Sequence, residues 1–213
     1  MKIALFGASG MVGQRILHEA LQRGHEVTAI VRDPEKITEK NPHLKTVKGD
    51  QNDAAAVAKL VAGHHAVVTA FSPAGNAGAD ALVKATRSLI DGVKQAGVKR
   101  LVMVGGAGSL EVAPGVQLVD TPQFPASYRQ IAIDHRDALN VMRKEAAGLQ
   151  WTNFSPPAII EPGQRTGKFR TGTDQLVVDG QGNSRISAED YAVALLDELD
   201  NPKHIGARFT AAY

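Results

Sequence analysis

Gly7-Ala8-Ser9-Gly10-Met11-Val12-Gly13 follows the apolar run Ile3-Ala4-Leu5-Phe6 and opens a segment with Val12, Ile16, Leu17 and Leu21 at helical spacing. Strand, glycine-rich turn and helix are the parts of a phosphate-binding βα unit. Gly7 permits a sharp turn, Gly10 lets backbone approach a pyrophosphate, and Gly13 lets the helix pack close to the sheet. The anion then lies at a helix N-terminus, where free N–H groups and the positive end of the dipole favour it. The spacing is GxxGxxG, one residue longer at its first step than the usual dinucleotide fingerprint; the strand before it and the helix after it give it weight.

Outward from that turn, short apolar runs at 3–6, 27–31, 44–47, 66–71, 101–104 and 151–154 read as strands. Helical patterns at 11–22, 53–61, 79–95, 131–147 and 188–199 alternate with them or follow them. This predicts an α/β, doubly wound Rossmann fold with a mostly parallel sheet and helices on both faces, formed by residues 1–213 as a single NAD(P)-binding domain. Asp33 before Pro34 and Ser187 three residues before Asp190 read as helix caps, and Gly24, Gly63, Gly97 and Gly148 as helix ends. Two segments look irregular, 105–127 with its glycines and Pro114, Pro122 and Pro125, and the polar 161–185. Both leave the carboxyl ends of strands, where ligands bind in such sheets, and are expected to be substrate loops.

Composition narrows the chemistry. The 213 residues contain 24 Lys+Arg and 22 Asp+Glu, a formal charge of +2, with 43% hydrophobic residues, which excludes a disordered or strongly charged tail protein. Residues 1–100 carry 14 basic and 9 acidic side chains (+5), and residues 101–213 carry 10 and 13 (−3), so a phosphate-bearing ligand suits the first half. Zero cysteines rule out thiolate chemistry, so redox work falls to a bound cofactor. Aromatic residues make up only 5%, which speaks against a nucleic-acid stacking platform. The run 66–71 is far short of a bilayer span and no signal-peptide pattern opens the chain, so a cytoplasmic protein with no membrane partner is expected.

An acid about 20 residues beyond the glycines would hold a ribose hydroxyl, but the second strand ends in Arg32, 19 residues after Gly13. Arg32 suits a 2′-phosphate, with Lys36 adding charge, which predicts NADP(H) in preference to NAD(H). Asp33 reads as a cap. The third strand closes on Asp50-Gln51 and the fourth on Ala70-Phe71, beside the adenine in this architecture; Asp50 is either an adenine acceptor or a turn residue.

Together with Val98-Lys99-Arg100, Ser155-Pro156-Pro157 and Ile186-Ser187-x-x-Asp190-Tyr191-Ala192, these features resemble the atypical short-chain dehydrogenases that bind NAD(P). Among them are NADH:flavin reductases, biliverdin reductase B and the NmrA-like proteins, and the resemblance covers nearly the whole chain. It implies that Gly7, Ser9, Gly10, Met11 and Val12 hold the pyrophosphate, that Arg32 meets the 2′-phosphate, and that Val104, Gly105, Gly106 and Pro156 border the nicotinamide. The sequence departs from ordinary short-chain dehydrogenases in one respect. Gly105-Gly106 stands where an active-site serine is usual, and Tyr128 is followed four residues on by Ala132 in place of lysine. Without that lysine Tyr128 is a weak acid at neutral pH, which argues against ordinary carbonyl reduction.

Hydride transfer to a flavin or quinone-like acceptor asks less of the protein, because the ring delocalises the charge and water supplies the proton. The flavin is then a substrate, not a resident cofactor. Gly105–Ser109 is expected to floor the acceptor, with Phe124 either packing or stacking on it and Tyr128 covering it. His135 is either a donor at the site or an exposed helix histidine. No metal-ligand spacing occurs around His64-His65, and Ser109 lacks a base, so neither a metal site nor a hydrolase triad is expected. Two other readings stand beside the reductase: a non-catalytic dinucleotide-binding redox sensor, and a small-carbonyl reductase using Tyr128 or His135.

Overall fold

The computed structural model describes residues 1–73 and 80–213. The chain runs through β1 (Lys2–Phe6), α1 (Met11–Gln22), β2 (Glu26–Val31), β3 (Leu44–Lys48), α2 (Ala54–Val61), β4 (Ala66–Thr69), α3 (Ala81–Gln95) and β5 (Arg100–Val104). It continues through β6 (Glu111–Ala113), β7 (Val116–Gln117), α4 (Ala126–Glu145), β8 (Gln150–Ser155), β9 (Ile159–Glu161), β10 (Arg170–Gly172), β11 (Arg185–Ser187), α5 (Ala188–Asp200) and β12 (Ala207–Ala212).

Eight strands form one sheet in the order β10-β12-β8-β5-β4-β1-β2-β3, parallel except where β10 pairs antiparallel with β12. The fold is α/β and Rossmann-like, as the alternation of patterns predicts. Its central strands read as continuous apolar runs because both faces are covered: Ile3, Leu5 and Val68 point into one core with α1 and α5, and Ala4, Phe6 and Val67 into the other with α2, α3 and α4. Chain order reverses at β1, which lies between β4 and β2, so the crevice beyond the carboxyl ends of β1 and β4 is the topological switch point. Among the described residues no helix is long and apolar enough to cross a membrane.

Several boundaries differ from the sequence expectation. The helix placed at 131–147 begins at Ala126, because Pro125 takes the cap position and the first turn runs out into solvent without the apolar residues that mark a helix. The helix expected from residue 79 begins at Ala81, and residue 79 itself lies outside the described residues. Segment 105–127 is not an open loop: it holds a 3-10 turn at Ala107–Ser109, the β6–β7 hairpin and a second 3-10 turn at Leu118–Asp120. Segment 161–185 contributes β10 to the sheet edge. The two segments are clasped together by Arg208 of β12, which is buried and donates to the Ser109 carbonyl and hydroxyl, both at 2.9 Å, and to Asp174 Oδ1 at 2.5 Å.

Candidate active site

At the switch point the glycine turn is held from two sides. A Cβ on Gly13 would lie 2.0 Å from the Gly7 carbonyl oxygen, so α1 sits on the turn as closely as a backbone allows. Gly7 has φ +74, and a Cβ there would meet the Ala70 carbonyl carbon at 2.6 Å, where the end of β4 crosses the turn. Gly10 is different: among the described residues a Cβ on it would touch only Gly7 O, at 3.4 Å. Its openness leaves room for a ligand at the start of α1. Among the described residues no side chain caps that helix, and its first turn holds no acid, so the N–H groups of its first turn are left for an incoming anion.

These residues open onto a cavity of about 470 Å³ lined by Gly7, Ser9, Gly10, Met11 and Val12 along the helix start. Its adenosine-side wall includes Arg32, Lys36, Asp50, Gln51, Ala70 and Phe71. Among the described residues Arg32 is exposed and makes no ion pair, while Asp33 turns away to accept from Glu35 N at 3.2 Å, the capping role its place before proline predicts. Asp50 also takes its turn role, accepting from Asn52 N at 3.0 Å and Nδ2 at 2.6 Å, yet it remains on the wall. Gln51 is buried, its amide fixed by Thr69 Oγ1 at 2.7 Å and by the Ala85 carbonyl.

The far end is bordered by Val104, Gly105, His135, Pro156 and Ile160. Gly105 N donates to the Phe154 carbonyl at 2.8 Å, and Tyr191 Oη donates to the same oxygen at 2.5 Å, so one acceptor anchors the floor. Burial pushes the Tyr191 hydroxyl pKa up.

Three expectations about this end are corrected. Gly106 does not line the cavity; a Cβ there would lie 2.7 Å from His135 Cβ, and one on Gly108 would lie 2.7 Å from Ala132 Cβ. These glycines let α4 approach the end of β5, rather than exposing backbone to a flat ring. Tyr128 is 64% exposed on the first turn of α4 and off the cavity, and Phe124 lies beneath Arg129 rather than at the cavity wall. His135, two turns further along α4, is the residue brought to the cavity. Burial pushes its pKa down to about 4, against a small opposing pull from Asp134, so the ring is neutral at physiological pH. Ile160 is a wall residue that sequence reasoning missed; the only signal was an apolar pair just after Pro156-Pro157.

The crevice fits a dinucleotide: a helix start with no cap and an Arg32 with no ion pair among the described residues, an open Gly10, Lys36 on the same wall, and an apolar far end. Comparison with known proteins agrees. Residues 7–202 match a family described as NAD(P)H-binding. An uncharacterized Bacillus subtilis (strain 168) protein, YwnB, is 42% identical over 214 residues, covering 99% of this chain and 97% of that one. A Bacteroides thetaiotaomicron structure provisionally named an epimerase is 47% identical with TM-score 0.93, covering 100% of this chain and 96% of that one. A Streptococcus pneumoniae TIGR4 structure provisionally named an NADH-flavin reductase is 32% identical with TM-score 0.88, covering 100% and 99%. The names differ in the reaction they give, so the acceptor has to be read from the cavity.

Proposed function

We propose that this chain, which belongs to the NAD(P)H-binding family, is a reductase that uses NADPH to reduce a flavin or quinone-like ring. The observation that carries the reading is that none of the chain's three tyrosines lines the cavity. Tyr128 is out in solvent, Tyr191 is spent on the Phe154 carbonyl, and the Tyr213 hydroxyl is held by Ser187 and Asp190. Reducing a carbonyl calls for an acid beside the developing alkoxide, and His135, neutral at physiological pH, can donate a hydrogen bond there but is a poor proton donor, whereas a ring that delocalises the charge can take its proton from solvent. When bound, the nicotinamide supplies a hydride from C4. The protein's own part is to hold two flat rings face to face between Val104, Gly105, Pro156 and Ile160.

Arg32 and Lys36 support a 2′-phosphate at the other end, in a paired, charge-assisted contact. Purified protein is expected to oxidise NADPH steadily with free riboflavin, FMN or a small quinone. Turnover with aldehydes alone would replace this reading with carbonyl reduction, and tight cofactor binding without turnover would make the protein a redox sensor. Arg32→Ala should weaken NADPH binding about tenfold or more, the worth of a charged hydrogen bond, and leave NADH binding unchanged. Equal effects on both cofactors in a fluorescence titration would remove the phosphate assignment.

A further inference from the structure

Next to the cavity's far end lies a layer of buried polar groups that the proposed reaction does not use. Asn153 and Ser155 alternate on β8 and so share a face, and Thr210 of β12 pairs with Ser155 in register. All three are fully buried. Asn153 Oδ1 accepts from Ser155 Oγ at 3.4 Å, and the same oxygen would stand 2.4 Å from a Cβ on Gly105. Asn153 Nδ2, Thr210 Oγ1 and His135 Nδ1 are buried, and among the described residues no group pairs with them. His135 meets the same strand end at Gly106, one residue along. Nδ1 is buried and without a partner among the described residues, and His135 lines the cavity, which leaves Nε2 as the ring nitrogen available to a ligand there.

Orphaned polar atoms gathered in one buried layer are where proteins hold internal water. The amide Nδ2 only donates, so a water beside it accepts there and has a hydrogen to give to an imidazole nitrogen. We propose that water held beneath the Gly105–Gly106 backbone, between Asn153 and His135, fixes His135 as the Nε2–H tautomer and makes it a neutral hydrogen-bond donor to a lone pair of the acceptor ring. The role of the donor rests on the reductase reading; the tautomer does not. A neutral donor suits acceptors with a ring carbonyl or imine nitrogen beside the reduced atom, as in flavins and quinones.

The test is ¹⁵N NMR of histidine-labelled protein without cofactor. His135 is expected to be neutral at pH 7 with the Nε2–H pattern, and Asn153→Leu is expected to shift the tautomer ratio. An Nδ1–H ring in the unmodified protein, or a ratio indifferent to a folded Asn153→Leu variant, would overturn the proposal. His135→Phe should lower kcat/KM for the acceptor about tenfold, the worth of one neutral hydrogen bond, with cofactor binding unchanged, and His135→Gln should recover part of the loss. If no ring acceptor is reduced at all, the reductase reading fails while the NMR result still decides the tautomer.

Discussion

The N-termini of α1 and α5 lie side by side on one face of the sheet and end in opposite states. At α5 the chain answers its own helix: Ser187 Oγ accepts from Asp190 N at 3.0 Å, and Glu189 and Asp190 sit in the first turn. Asp190 in turn accepts from Thr166 N and Gly167 N, both at 2.7 Å, and from the Tyr213 hydroxyl at 2.8 Å. Burial raises its pKa, but these donors outweigh that and hold the carboxyl below its usual range. At α1 there is Gly10, with no acid in the first turn and, among the described residues, no side-chain cap. An anion site, on this comparison, is defined as much by what the chain withholds as by what it supplies.

The contrast can be broken from either side. Asp190→Ala is expected to cost about 3 kcal/mol of stability, because the Thr166 and Gly167 N–H groups lose a buried charged acceptor; denaturant unfolding measures it, and cofactor affinity per folded molecule should stay within about threefold. Gly13→Ala should cost about 2 kcal/mol by driving a methyl into the Gly7 carbonyl, and here cofactor binding should go with it, since the turn itself moves. Met11→Asp gives α1 the acid that α5 already has. It should weaken cofactor binding about tenfold or more while raising stability by about 0.5 kcal/mol, and a fall in both would show that the two helix starts are not alternatives of one design.

The remaining prediction concerns pH dependence. Burial lowers the His135 pKa from its ordinary 6.5 to about 4, so between those values the unfolded chain binds more protons than the folded one. Stability therefore rises with pH across that window and is complete above it. His25, also lowered by burial, acts in the same direction, so the readout is the difference between the protein and His135→Phe, which should be flatter from pH 4 to 6.5. Glu19, held low by Arg165 and Arg23 although burial pushes the other way, loses its contribution only in more acid solution, as does Asp190.

How much of this was legible in the sequence follows from the range of the interactions. The βα turn, the caps at Asp33 and Ser187 and the strands of the central sheet are set by neighbours a few residues apart, and they appear where the pattern places them. β12, with the sequence ARFTAA, carries few of the β-branched residues that mark a strand; it is a strand because β8 and β10 flank it. The exchange of Tyr128 for His135 has the same cause. Which side of α4 faces the cavity is decided by Ala132 against Gly108 and His135 against Gly106, contacts between segments about 25 residues apart, and no local periodicity encodes that rotation. Gly106 and Gly108 looked like a ring floor because a close approach by a helix and by a ligand call for the same residue.

The Arg208 clasp bears on how this scaffold changes its preferences. Its guanidinium is buried and shared between Ser109, just past the end of β5, and Asp174, just past β10. A graft of either segment alone would leave a buried cation without half of its partners. The two segments are therefore heritable only as a set with Arg208, and recombination among relatives should respect that boundary: chimeras that move residues 105–127 without 161–185 are the ones that fail to accumulate.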